Sequence, residues 1–264
     1  MEGRFAKELP KGDDLVEVEA LLTGNWRGAT SALISDRRHY WVVDSGMAHE
    51  APLLMEALKR RGLHPEDITA VINTHFHIDH VLNNSLFPQS EIYASQESYQ
   101  WCCSLYSDLR DEANWEKLTL KYYPELKDYE EAGRLMSQLR KLALRWWDAK
   151  RLGDRSRFRW LETTSLPAPI EVIFTQGHVP GHASLVVHDG GPPTLIAGDA
   201  LLARDADARV LTMIPHNREQ SLADRARLLA LAGRVLPGHG EEFVAREAAA
   251  PKAPATTSLP SEKP

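Results

Sequence analysis

Short apolar runs and longer helical stripes alternate along this chain. Leu15 to Leu22 alternates apolar with polar side chains and predicts a strand. Ala32 to Ser35 and Tyr40 to Val43 predict the two arms of a hairpin across Asp36, Arg37 and Arg38, and VVDSG closes the second arm in a turn. From Ala51 to Arg61 the spacing is helical, with Leu54, Ala57 and Leu58 on one face, and it stops at Gly62, a residue suited to ending a helix. Ile68 to Asn73 is a short apolar strand that runs straight into His75. The order recurs in the second half. Glu171–Thr175 predicts a strand ending at Gly177 and His178, and Leu185–Val187 and Thr194–Ala197 predict strands on either side of a Gly-Gly-Pro-Pro turn. Leu222–Leu231 is helical, and Val235–Leu236 runs into Pro237, Gly238 and His239. The elements repeat in order; the residues themselves do not.

Between the halves, about 96–160 reads as helical. Leu135, Leu139, Leu142 and Trp146 form one amphipathic stripe. Packing against the body explains such a stripe, and a lid or a homodimer surface is the alternative.

The chemistry concentrates in His75-Phe76-His77-Ile78-Asp79-His80, directly after a predicted strand. A helix would scatter these side chains, whereas a loop at a strand end can curl them around one point. Imidazole and carboxylate suit zinc, and also manganese or iron. His178, Asp199 and His239 occupy the same kind of place, each after a strand and beside a glycine. In layered α/β folds, sites collect at strand ends.

Taken in order, VVDSG, THFHIDH, TQGHVPGH, IAGDALL and VLPGHGEEF make the chain resemble the metallo-β-lactamase superfamily, especially its glyoxalase II-like hydrolases. The resemblance covers roughly Leu15 to Val244, apart from the helical stretch. It implies an α/β fold, the αββα four-layer sandwich with a helical insertion at about 96–160, in a single domain over 1–247. It also implies two metal ions: one held by His75, His77 and His178, the other by Asp79, His80 and His239, with Asp199 bridging. Asp79 would orient and deprotonate a metal-activated water as the catalytic residue. Asp44 and His182 would support the ligands from outside, and His216 reads as a surface-loop histidine.

The reaction so implied is hydrolysis of a small ester, thioester or lactone. A phosphodiesterase or ribonuclease, an iron-dependent sulfur dioxygenase, a metal-bearing binding protein and a β-lactamase are the alternatives. Typical β-lactamases of this superfamily lack an aspartate at the bridging position, which disfavours the last. Leu82 stands where the family often has glycine, and nothing matches the basic glutathione-binding residues of glyoxalase II.

Composition narrows this further. The chain has 264 residues, 43% hydrophobic and 26% charged, the profile of a globular domain. A net charge of −6 disfavours a globally basic nucleic-acid binder. Residues 133–160 nonetheless carry nine Lys or Arg against Asp148 and Asp154, with Trp146, Trp147 and Trp160 interleaved. Such a stretch either attracts anions or covers apolar surface with arginine stems. Cys102 and Cys103 are adjacent and read as small packed side chains rather than a disulfide. The charged N-terminus lacks a secretory pattern, and no run reaches about 20 apolar residues. A cytoplasmic, membrane-free protein acting on a small molecule is expected. Residues 248–264, rich in Ala, Pro, Ser and Thr, predict a disordered tail.

Overall fold

The structure, a computed structural model, describes residues 16–25, 28–36, 38–128, 130–167, 169–204 and 215–245; the expected tail lies outside them. The first sheet contains β1 (Glu17–Leu22), β2 (Ser31–Ser35) and β3 (Tyr40–Val43), followed by α1 (Ala51–Lys59), β4 (Ala70–Ile72), the one-turn α2 (Ile78–Val81) and β5 (Glu91–Ala94). Next come α3 (Gln96–Asp108), α4 (Trp115–Tyr122) and α5 (Ala132–Trp146), and then β6 (Phe158–Trp160). The second half holds β7 (Ile170–Phe174), β8 (Ala183–Val187), β9 (Thr194–Gly198), α6 (Arg218–Leu231), β10 (Arg234–Pro237) and β11 (Phe243–Val244).

The strands form two sheets, ordered β1-β2-β3-β4-β5-β6 and β11-β10-β9-β8-β7. In the first, β1, β2 and β3 pair antiparallel, and β3 through β6 run parallel. In the second, β7, β8 and β9 are antiparallel, with β10 parallel to β9.

Side-chain alternation stacks the layers. Ala32, Ile34, Trp41 and Val43 face Ala183, Leu185, Val187 and Ile196 in the core between the sheets. The intervening Leu33 and Val42 turn outward onto Leu54, Ala57 and Leu58 of α1. On the other side, Val186, Leu195 and Val235 pack on Leu228 of α6. Both faces of each sheet are therefore covered, which explains why the central strands read as near-continuous apolar runs. The expected αββα sandwich is present.

The insertion differs from its sequence reading at two points. Its last residues, Phe158–Trp160, are not helical but form β6, parallel to β5 and closing the sheet edge. Leu142 is 45% exposed, whereas Met136 and Ala143 are buried. The packed line of α5 runs through Leu135, Met136, Leu139, Ala143 and Trp146, one narrow face against α3 and α4. Leu142 falls just off that face.

Candidate metal centre

All the candidate ligands lie beyond the C-terminal ends of strands: the histidine-rich segment follows β4, His178 follows β7, Asp199 follows β9 and His239 follows β10, and the supporting Asp44 follows β3. Two glycines fit these turns for different reasons. Gly198 has φ +52°, a left-handed conformation favourable to glycine. At Gly238 a Cβ would land on Asp199 Oδ1, so only a bare backbone fits there.

The separate segments converge. His75, His77, His178 and Asp199 form one group and Asp79, His80 and His239 another, with the ligand atoms of each within 4.8 Å of one another. His77 Nδ1 lies 3.1 Å from His75 Nε2 and 2.9 Å from His178 Nε2. Asp199 stands between the groups. Its Oδ2 is 3.3 Å from His178 Nε2, and its Oδ1 is 3.3 Å from both His80 Nε2 and His239 Nε2. Asp79 Oδ2 is 3.3 Å from His239 Nε2.

Buried His80 Nε2, His239 Nε2 and Asp199 Oδ1 have no hydrogen-bond partner among the described residues. Orphaned buried polar atoms are costly. Three of them pointing into one gap, in an imidazole and carboxylate set, fit a divalent-metal site.

The far side of most of these rings is anchored. Asp44 Oδ2 lies 2.7 Å from His80 Nδ1 and also accepts from Thr74 Oγ1 at 2.7 Å, while Asp44 Oδ1 accepts the Thr74 amide at 2.8 Å. With its proton given to Asp44, Thr74 Oγ1 accepts from His75 Nδ1 at 3.1 Å. His239 Nδ1 donates to the Asn25 carbonyl at 2.8 Å. Such partners fix which ring nitrogen carries the proton.

His182 is not placed as a ligand. Its Nε2 accepts the Asp199 amide at 3.1 Å, and its Nδ1 donates to Thr175 Oγ1 at 2.7 Å. It therefore contacts the backbone of Asp199 from behind. His216 departs from its surface reading. It is half-buried, its amide donates to the His178 carbonyl at 2.9 Å, and its Nδ1 donates to the Tyr122 carbonyl at 2.9 Å. It also borders a cleft of about 400 Å³ with Glu97, Gln176 and Asn217.

Electrostatics divides the two groups. Burial holds His75 and His178 well below the usual histidine range and brings His77 to about 4. Burial also pushes His80 down, but Asp44, Asp199 and Asp79 outweigh it and raise His80 well above that range. His239 behaves alike: burial lowers it, and Asp199 and Asp79 lift it to about 9. Burial works against the Asp199 carboxylate, yet His239, His80 and His178 hold it well below the ordinary carboxylate value.

Sequence reasoning missed Tyr123, whose Oη lies 2.9 Å from His77 Nε2. A tyrosine 46 positions away carries no local signal of that contact.

The basic stretch is largely committed internally. Arg140 donates to the Leu109 carbonyl and lies over Trp115, and Arg145 lies over Trp146. Arg155 lies over Tyr99 and Trp160, and Arg157 donates to the Phe87 and Ser90 carbonyls. Arg159 pairs with Glu91. Cys102 and Cys103 are free thiols, the first buried.

Comparison with known proteins shows the family and the fold. Residues 24–239 match the family model described as the metallo-beta-lactamase superfamily. The "Metallo-beta-lactamase domain-containing protein 1" of Mus musculus is 33% identical over 96 residues, 36% of this chain and only 37% of that protein. Its Homo sapiens counterpart is 28% identical over 85% of this chain and 67% of its own length. Among solved structures, AidC, described as a dizinc quorum-quenching lactonase, superposes with a TM-score of 0.55. That match covers 86% of this chain and 85% of AidC at 16% identity, a likeness of fold.

Proposed function

This chain belongs to the metallo-β-lactamase superfamily, and from that premise we propose that it is a dinuclear-metal hydrolase of small esters, thioesters or lactones. One observation carries the reading: the two oxygens of Asp199 face different histidine sets, Oδ2 toward His178 and Oδ1 toward His80 and His239. A carboxylate so divided is built to bridge two ions. His75, His77 and His178 would hold one ion and Asp79, His80 and His239 the other. When bound, such ions supply Lewis acidity and bring the pKa of a water toward neutrality.

The chain's own groups do the rest. Asp79 is half-buried, with Oδ2 toward His239, so its other carboxylate oxygen can orient the attacking water, take its proton and return it to the leaving group. His182 and Asp44 keep Asp199 and His80 in place through the reaction. Zinc is the ion we assign, since the donor set is nitrogen-rich and mixed with carboxylate.

Small acyl substrates are favoured over phosphodiesters because most arginines of the basic stretch are stacked or bonded within the insertion. A structural neighbour described as a lactonase adds a lactone to the substrates worth assaying. Among the described residues no helix is long and apolar enough to cross a membrane; we place the enzyme in the cytoplasm.

The test is elemental analysis of freshly purified protein, followed by assay of a lactone, a thioester, an aryl ester, bis(p-nitrophenyl) phosphate, a short RNA and nitrocefin. Two zinc ions per chain with turnover of the acyl substrates is the expected result. Turnover of the phosphodiesters alone would overturn the substrate class. One iron per chain with oxygen uptake on a persulfide would replace hydrolysis by sulfur oxidation.

A further inference from the structure

Three consecutive residues of the histidine-rich loop are held by hydroxyl groups of the helical insertion. The Phe76 amide donates to Ser98 Oγ at 3.1 Å, the Ile78 amide donates to Tyr106 Oη at 3.2 Å, and His77 Nε2 lies 2.9 Å from Tyr123 Oη. The first two contacts fix backbone. The third fixes a side chain.

We infer that Tyr123 is a positioning residue that orients the His77 ring with Nδ1 toward the His75, His77 and His178 half of the centre and, by accepting the Nε2 proton of the ligating ring, sets metal affinity there. The inference rests on the metal reading above and adds to it which residue outside the ligand set controls that half.

A neutral imidazole carries one ring proton. His77 Nδ1 faces His75 Nε2 at 3.1 Å and His178 Nε2 at 2.9 Å, so Nδ1 is the atom turned toward an ion. A ligating Nδ1 needs its lone pair, so in the metal-bound ring the proton belongs on Nε2, where Tyr123 Oη would accept it. Tyr123 can hold that position firmly. It is 1% exposed, it caps the C-terminal end of α4, and its ring meets Trp101 edge-on at a centroid distance of 5.3 Å. Without the hydroxyl, the buried Nε2–H of the ligating ring loses its acceptor, which disfavours the metal-bound form.

Two measurements test this on the full chain. Long-range ¹H–¹⁵N spectra of the zinc-loaded wild type should show His77 with its proton on Nε2; a proton on Nδ1 overturns the inference. The second arm is chelator competition for zinc, together with the visible spectrum of the cobalt-substituted protein, for the wild type, Tyr123→Phe and Tyr106→Phe. Tyr123→Phe should weaken one of the two bound ions about ten- to hundredfold and shift its cobalt spectrum, leaving the other ion unchanged; its metal-free melting curve should fall no further than that of Tyr106→Phe. Equal affinities in wild type and Tyr123→Phe, or an equal loss in Tyr106→Phe, would overturn it, the latter by showing general loosening of the loop. A wild type that binds no metal would instead overturn the metal reading itself, a result distinct from equal affinities in wild type and Tyr123→Phe.

Discussion

Asp44 and His80 meet at 2.7 Å between Oδ2 and Nδ1, both buried, on the floor beneath the candidate centre. The same carboxylate takes the amide and the hydroxyl of Thr74, so one side chain locks the start of the histidine-rich loop and the ring that ends it. Asp44 has φ +54°, a conformation that aspartate and asparagine tolerate better than most residues.

Asp44→Ala should therefore cost on two counts. It strips buried donors of their acceptor, worth about 1–3 kcal/mol of stability. It also frees the His80 ring, which should weaken the ion at the Asp79, His80 and His239 half by about ten- to hundredfold. Asp44→Asn keeps an acceptor and the backbone preference and should lose less of both. Thermal melting and chelator competition read the two effects separately. A wild-type metal affinity in Asp44→Ala would discredit the anchoring role.

Metal uptake should release protons unequally from the two halves. Near neutral pH in the metal-free protein, His75, His77 and His178 are neutral, whereas His80 and His239, the latter at about 9, are charged. An ion needs the unprotonated ring, so each charged histidine costs about tenfold in affinity per pH unit below its pKa. The Asp79, His80 and His239 half should thus empty first as pH falls from 8 to 6, and the other half should hold its ion toward pH 4. Calorimetry in two buffers of different ionisation enthalpy counts the protons; loss of both ions together would contradict the asymmetry. Without metal, the raised His239 value has the opposite consequence for stability. Its contribution is complete below the unfolded value of about 6.5 and fades as pH rises through about 9.

Gly238→Ala should disable the bridge. The new methyl would land on Asp199 Oδ1 and press on the Gly198 backbone at 2.8 Å. Overpacking of this kind costs about 1–3 kcal/mol. Displacing Asp199 should also lower zinc content from two ions toward none, read by elemental analysis of the folded variant. Full occupancy would mean that Asp199 is not shared.

Arg157→Ala probes structure rather than chemistry. Arg157 donates to the Phe87 and Ser90 carbonyls, at 2.5 and 2.7 Å, and so clips the segment before β5 to the end of the insertion. Its removal should lower stability by about 1–3 kcal/mol. The salt dependence of activity should stay as in the wild type. A flattened salt response would instead mark Arg157 as an anion contact.

Much of this arrangement was readable from residue order. The ligand positions carry a spacing rarely met by accident, and each follows an apolar run that the structure shows as a strand. Asp44 was recognisable because it ends such a run. Elsewhere local pattern failed for physical reasons. β6 spans only Phe158–Trp160 and gains its strand form from pairing with β5, a partner distant in sequence. Leu142 fits the helical period as well as Leu139 does; which of them is buried depends on where α3 and α4 lie. Tyr123 was invisible because its role depends on a turn of chain folding back across the loop.

The division of the ligands between two sheets has a mechanical consequence. His75, His77, Asp79 and His80 ride on the first sheet, while His178, Asp199 and His239 ride on the second. Loaded with ions, the pair would act as a clasp across the sandwich seam, so that prising the layers apart must first break coordination. Chemistry and cohesion would then share the same few atoms, and a chelator would weaken the hinge of the molecule at the moment it silences the enzyme.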